Sequence, residues 1–507
     1  MMPWPPSWPH VALGVVASAL VFALHLLVMA RAITRPGRAP ASRVAWVAAI
    51  GFLPILGMLG YLLLGETSIG RRRLQRLRQV EATLPLPAVP LASPAPAAAA
   101  DSASAEASST ASLFALAGSI NGFSATFGNR VHLLGDPAAS ADEPMADCKA
   151  AIATLVRDID TAREQVHLCF YIWLDDVLGG RVADAVCAAA QRGVHCRVLV
   201  DALGSRAFVH GRRWQQLRQA GVQIHAMLDD VPRLGRWAIG RIDLRNHRKL
   251  AIIDNRITYC GSQNCADPEF RVKPAFAPWI DLLLRCEGPV VRQAQWLFLS
   301  AWSSETGERL DACINALPEP ERVDAGAQAL MFGTGPSTAH NAMSDMFVAA
   351  IAAARHDVLI TTPYFVPDDA LLRALCAAPR RGVATTLVLP ARIDSWLVAQ
   401  ACRSTWAELL ACGVAVHEYL PGLLHAKSIT IDAHMALVGS ANMDRRSLEL
   451  NEENNLLLVD RETALAIHGR QLVYLSRSRP VRPETVAAWR WPTRLVQNAV
   501  GMMAPVL

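Results

Sequence analysis

Apolar and polar positions divide this chain into three regimes. Residues 11–30 (VALGVVASALVFALHLLVMA) and 45–64 (AWVAAIGFLPILGMLGYLLL) each run for twenty positions without Asp, Glu, Lys or Arg. At 1.5 Å of rise per helical residue, either run could cross a hydrocarbon core of ~30 Å, so both are expected to be transmembrane helices. No basic segment precedes the first, which separates it from a signal peptide. Trp4, Trp8 and Trp46 stand where interfacial anchors belong. Both flanks of the second run are basic, with Arg31, Arg35, Arg38 and Arg43 before it and Arg71, Arg72, Arg73, Arg76 and Arg78 after it. A positive-inside bias cannot satisfy both clusters across a simple hairpin. Either one cluster is carried outside, or a segment dips back at Pro54 and Gly57.

Residues 80–112 form the second regime, a Pro/Ala/Ser stretch that includes LPLPAVPLASPAPAAAADSASAEASST. Such a composition buries too little surface to offset its ordering entropy, so a flexible linker is expected. From residue 113 the pattern changes again. EQVHLCFYIWLDD, GRVADAVCAAAQRGV and HCRVLVDALGS follow one another, and HDVLITTPYFVPDD, ALLRALCAAPRRGV and ATTLVLP repeat the order later. Each series reads strand, helix, Arg-Gly-Val turn, strand, the pattern of a parallel α/β unit. Gly193 and Gly382 fall where a helix end needs a left-handed residue. The body is therefore expected to be a duplication.

Composition refines this picture in two places. The chain has 507 residues, 52% of them hydrophobic and 18% charged, and its formal net charge is +5. That charge is too mild for a dedicated nucleic-acid binder, which presents a strongly basic face, so nucleic acid is not an expected partner. Eleven cysteines are scattered singly through apolar runs. No CxxC pair accompanies Cys260 and Cys265, so no zinc site is expected. Buried thiols in a reducing compartment fit better, and they favour a catalytic body facing the cytoplasm.

The chemistry lies in a second repeat. NHRKLAIIDNRITYCGSQN begins at Asn246 and LHAKSITIDAHMALVGSAN at Leu424. The first supplies His247, Lys249, Asp254, Gly261, Ser262 and Asn264, and the second supplies His425, Lys427, Asp432, Gly439, Ser440 and Asn442 at identical spacing. Each is a β-branched run interrupted by a turn, hence a hairpin. His and Lys two positions apart on a strand project from one face. Duplication of a core alone would not preserve these polar residues. Brought together at a pseudo-twofold interface, two lysines and two asparagines can hold an anion, one His can attack, and the other can protonate the leaving oxygen. Phosphoryl transfer by double displacement needs that pair and no metal or other cofactor.

HxKxxxxD followed by GSxN, twice in one chain, resembles the phospholipase D superfamily. RNHRK (245–249), FYIW (170–173), WID and EGPVV (279–291), PYFVPD (363–368) and GSANMDRRSLELN (439–451) narrow the resemblance to bacterial cardiolipin synthases with an amino-terminal membrane anchor. The resemblance implies an α/β fold in which two similar halves, mixed sheets flanked by helices, form one pseudo-twofold catalytic body behind two transmembrane helices. The expected bounds are anchor 1–79, linker 80–112, halves 113–325 and 326–480, and a tail 481–507 whose Trp489, Arg490, Trp491 and Arg494 ahead of an apolar end suit either an interfacial helix or packing onto the body. It implies joining of two phosphatidylglycerol molecules into cardiolipin and glycerol through a phosphohistidine. A phospholipase D or phosphatidyltransferase using water, an ethanolamine lipid or another alcohol carries the same motifs. His247 would be the nucleophile and His425 the acid and base. Lys249, Lys427, Asn264 and Asn442 would hold the phosphate, and Asp281 and Glu453 would orient the histidines. Asp254 and Asp432 complete the catalytic motif, bracing its hairpins more than touching substrate. The partners implied are phosphatidylglycerol, other anionic phospholipids and the membrane, with a multi-pass location in a bacterial inner membrane. The stretch 208–245, rich in Arg and Trp, is either a headgroup contact near the pocket mouth or a solvated helix and loop.

Overall fold

The computed structural model describes residues 8–38, 40–65, 70–87, 103–135, 145–229, 241, 243–310, 314, 321, 323 and 326–503. The chain divides into two units, residues 1–71 with 230–244, and residues 72–229 with 245–505.

Three helices make up the described part of the first unit: α1 (Trp8–Thr34), α2 (Pro40–Phe52) and α3 (Pro54–Leu64). Within α1, residues Leu13–Thr34 form one helix long and apolar enough to cross a membrane. Leu20, Phe22 and Leu27 stand exposed along it. The second expected span is not one helix. Proline lacks the N–H that would continue the ladder, and the helix stops at Phe52 and restarts at Pro54. α2 and α3 then fold onto each other, burying Trp46, Ile50, Met58 and Tyr61 with Val28 of α1. Among the described residues one helix is thus long and apolar enough to cross a membrane, and the second expected span is interrupted at Pro54, one of the two positions where a dip was expected.

The second unit starts with α4 (Arg71–Thr83) and α5 (Ala103–Asn121), so the expected linker 80–112 is helical at both ends. Residues 88–102 lie outside the described residues. α4 is held by the ion pair Arg73–Glu305 at 3.2 Å. α5 contacts the sheet strand Ala327–Thr334 and buries Leu113, Phe114 and Ala117.

One mixed sheet of fifteen strands runs through this unit. Its first set is β1 (Thr126–Leu133), β2 (Gln165–Phe170), β3 (His195–Asp201), β4 (Gln223–Met227), β5 (Leu250–Ile253), β6 (Ile257–Gly261) and, past the two-residue β7 (Trp279–Ile280), β8 (Leu283–Glu287). The second set is β9 (Ala327–Thr334), β10 (Asp357–Thr361), β12 (Ala384–Pro390), β13 (Ala415–Tyr419), β15 (Ser428–Ile431), β16 (Met435–Gly439), β18 (Glu453–Val459) and β19 (Ser478–Pro480), with β11 (Phe365–Val366), β14 (Leu423–Leu424) and β17 (Met443–Asp444) as short side strands. From the antiparallel junction of β1 and β9, the order reads β1-β8-β6-β5-β2-β3-β4 one way and β9-β18-β16-β15-β10-β12-β13 the other. The two orders correspond strand for strand. β6 also meets β16 and β18 across the fold, with Cys260 Sγ 3.7 Å from the Val438 carbonyl. Helices such as Ala146–Asp160 and Val177–Gln191 cover the first set, and Ala342–Ala353 and Asp369–Arg380 cover the second. Two apolar clusters result, one for each set.

Local chemistry sets the ends of these elements. Gly193 and Gly382 have φ of 90° and 83° directly after their helices, in the left-handed region that a side chain resists. The stretch from residue 208 forms a solvated helix, Arg212–Gln219, and the edge strand β4, while residues 230–240 and 242 lie outside the described residues.

Candidate active site

Each motif is a hairpin joined by a three-residue connection, 254–256 in the first and 432–434 in the second. Asp254 and Asn255 have φ of 50° and 50°, and Asp432 and Ala433 have 51° and 46°, the doubly left-handed turn that matches strand twist. The Asp254 carboxylate accepts backbone N–H groups of Arg163, Glu164 and Gln165 at 2.9, 2.8 and 2.9 Å. Asp432 accepts those of Arg355, His356 and Asp357 at 2.9, 2.7 and 2.9 Å. Both aspartates thus staple a hairpin to the start of the neighbouring antiparallel strand, β2 or β10. They brace the motif and do not bond to its histidines.

The histidines sit just ahead of β5 and β15, and each is clamped by backbone from the other half of the chain. Asn246 bridges Glu452 in parallel register, and His247 N donates to the Glu452 carbonyl at 2.8 Å. β14 pairs with β7, placing Leu424 opposite Ile280, and His425 N donates to the Ile280 carbonyl at 2.7 Å. The next residue on each clamping strand is an acid. His247 Nδ1 donates to Glu453 Oε2 at 2.8 Å, and His425 Nδ1 donates to Asp281 Oδ1 at 2.6 Å. Each imidazole therefore takes its carboxylate from the opposite half. Neither half holds a complete pair.

With Nδ1–H engaged, the lone pair is left on Nε2 of each ring, the tautomer a nucleophile or base requires. The four groups are buried, with Glu453 at 0% exposure and His247 at 7%. Ser440 Oγ donates to Glu453, and Ser262 supports Asp281 in the same way. Gly261 and Gly439 precede these serines, where a Cβ would lie 2.2 Å from the Leu282 carbonyl oxygen and 2.3 Å from Asn455 Oδ1. Only glycine permits that approach. Tyr171 stands edge-on to His247 with ring centroids 4.9 Å apart, and Trp279 does the same to His425 at 4.5 Å. The sequence marked Ser262, Ser440, Tyr171 and Trp279 only as motif members. Their support of an acid or a ring depends on contacts across the fold.

Lys249 Nζ donates to the His247 carbonyl at 2.8 Å, and Lys427 Nζ to the His425 carbonyl at 2.7 Å. Two further ammonium protons remain on each for an anion. Asn264 Oδ1 accepts Ile172 N–H at 3.1 Å, while its buried Nδ2 has no partner among the described residues. Asn442 lies buried beside Asp444, its Nδ2 3.4 Å from that carboxylate, with Oδ1 unpartnered among the described residues.

Burial pushes the His247 imidazole down to about 4, with Lys249 and Lys427 adding to the shift and Glu453 opposing it. Burial likewise pushes His425 down to about 3, helped by Lys427 and Lys249 against Asp281. Each ring thus feels the lysine of the other motif, so the two motifs share one electrostatic site. Burial brings Lys249 down to about 8 and holds Lys427 well below its ordinary value. Burial alone would raise Glu453 and Asp281, but the histidine and lysine beside each outweigh it and hold both carboxyls below the usual range. Carboxylates, neutral imidazoles and crowded lysines together form a site short of negative charge, and a phosphodiester supplies it.

The comparisons agree with this geometry. The family model described as "Cardiolipin synthase, PLD-like domain" matches residues 155–273 and again 347–470. Another, "Phospholipase_D-nuclease N-terminal", matches residues 19–66. Cardiolipin synthase A of Erwinia tasmaniensis is 35% identical over 499 residues, covering 96% of this chain and 98% of the relative. That of Escherichia coli O157:H7 is 36% identical over 450 residues, covering 87% and 88%. Among solved structures, phosphatidylserine synthase of Haemophilus influenzae Rd KW20 shares the fold at a TM-score of 0.53 and 12% identity, over 74% of this chain and 95% of that one. With near full-length coverage at this identity and both motifs intact, the chain belongs to the cardiolipin synthase family of the phospholipase D superfamily.

Proposed function

We propose that this protein joins two phosphatidylglycerol molecules into cardiolipin and releases glycerol. The observation that carries the reading is the exchanged pair of buried His–carboxylate contacts, His247–Glu453 and His425–Asp281, with two lysines in one field. His247 Nε2 attacks phosphorus, and the P–O bond to the glycerol headgroup breaks. His425 gives its Nε2 proton to the departing oxygen. A headgroup hydroxyl of the second phosphatidylglycerol then returns a proton to His425 as its oxygen attacks phosphorus and the N–P bond breaks. Lys249, Lys427, Asn264 and Asn442 hold the phosphate oxygens throughout. The incoming phosphodiester charge raises the proton affinity of His425, opposing the burial that keeps it neutral in the free enzyme.

In this reading residues 113–325 and 326–480 are the halves of one catalytic body on the cytoplasmic face of a bacterial inner membrane. The helices before residue 65 anchor it, α1 as a full crossing and the segment after Pro40 as a second pass or a re-entrant hairpin. The test is purified full-length protein in detergent with phosphatidylglycerol as the only lipid. Cardiolipin and glycerol should form together, and chelator should leave the rate unchanged. Activity that appears only when CDP-diacylglycerol is supplied would refute the reaction.

A further inference from the structure

The last helix, Trp491–Met502, turns its apolar side to solvent. At 100° per residue, Trp491, Leu495 and Met502 fall on one face, and they are 74%, 57% and 79% exposed. The opposite side packs on the body through Val500, yet it also buries the polar Gln497. An ordinary surface helix has the reverse arrangement. This helix rests on Trp396–Ser404, where Val500 meets Ala401 and Val366, and that helix exposes Trp396 and Leu397 as well. The whole face lies beside the second motif. Val366 belongs to β11, which pairs with β17 directly after Asn442. Asp394, two residues ahead of Trp396, binds Lys273 and acts on His425.

Basic groups border this apolar face. Arg490 is exposed at the start of the helix, and a groove of about 640 Å3 beside it carries Arg403, Arg494 and Trp489 on its walls. Exposed Trp and Leu ringed by Arg is the composition of a helix that lies in the headgroup region of an anionic bilayer. α1 supplies an apolar segment of membrane-crossing length, so a bilayer is the surface within reach.

We infer that Trp491–Met502, together with Trp396 and Leu397, is a second membrane contact, seated in the headgroup layer of an anionic bilayer beside the second motif. The proposed function bears on it only through the lipid chosen as probe. Reconstituted in nanodiscs of phosphatidylcholine and phosphatidylglycerol, full-length protein with Cys187, Cys313 and Cys412 changed to Ser receives a nitroxide at Leu495→Cys. The label should collide more often with oxygen than with a nickel chelate, and the reverse would overturn the contact. The double variant Trp491→Glu/Leu495→Glu should lower kcat/KM roughly tenfold on phosphatidylglycerol vesicles. It should leave kcat/KM unchanged on monomeric dihexanoyl-phosphatidylglycerol. Equal losses on both substrates mean that the helix serves packing, and no loss on vesicles removes the contact; either result overturns the inference. So does sedimentation of a two-copy complex that the double variant dissolves, because the face then belongs to a second copy. Wild-type protein inactive on both substrates refutes the proposed reaction, and the nitroxide result still decides the contact.

Discussion

The exchange of acids between halves makes a prediction that a pairing within each half reverses. Glu453→Gln keeps the shape of the side chain 2.8 Å from His247 Nδ1 but removes its charge, while His247 lies 206 residues earlier in the chain. The site is dry, with His247 and Glu453 side chains 9% and 0% exposed, so solvent screens little of the loss. For unit charges ~4 Å apart at an effective dielectric near 20, the lost interaction is about 4 kcal/mol, or about 10³-fold in rate. An amide that presents its NH2 to Nδ1 also favours the wrong tautomer, which deepens the loss. The assay follows label from radioactive phosphatidylglycerol onto protein, with cardiolipin formation measured in parallel. Glu453→Gln should abolish phosphatidyl labelling of His247. Asp281→Asn should still label when the donor carries a p-nitrophenol leaving group, because no proton is then required, and should stall before cardiolipin. Loss of labelling in Asp281→Asn with retention in Glu453→Gln would refute the exchanged pairing. A loss below tenfold in Glu453→Gln would refute the electrostatic argument itself.

Three further outcomes are expected. kcat/KM should fall as pH rises above about 4, because the free enzyme holds His425 neutral and the reaction needs a proton on it, and should fall more steeply above about pH 8, where Lys249 loses a proton; a flat pH–rate profile across this range would refute His425 as the acid. Stability should decline as pH falls from 6.5 towards 4, because the unfolded His247 binds a proton that the folded one refuses; Glu453 and Asp281, held low in the fold, add a loss in the same direction at lower pH, and denaturant titrations at several pH values test both. Asp254→Ala frees three backbone N–H groups and should cost roughly 2 kcal/mol in denaturant midpoint while sparing kcat below the transition, whereas Gly439→Ala drives a Cβ against Asn454 and Asn455 beside Glu453 and should abolish turnover; near-normal kcat in the latter would show that the close approach is not required.

Local sequence carried much of this protein. The spacing of His, Lys, Asp and Gly-Ser-x-Asn is short-range information, and the same hairpin, turn and staple form twice because strand alternation and left-handed turns act within a few residues. Gly193 and Gly382 were legible for the same reason. Pro54 marked a break in the second apolar run, but hydropathy alone could not choose between a span and a bend, since that depends on whether α3 packs on α2. What tertiary structure alone decided is long-range. Glu453 and Asp281 were visible as acids downstream of their own motifs, yet each serves the other half, across 206 and 144 residues. That assignment follows from the junction of β1 with β9 and from the clamps Asn246–Glu452 and Leu424–Ile280, which set register between segments no local pattern connects. The tail's Trp, Arg and apolar residues left interfacial seating and packing on the body both open, and the outward face of Trp491–Met502 was decided for the same reason. Periodicity shows that a helix has an apolar side, and only packing decides which side the body covers.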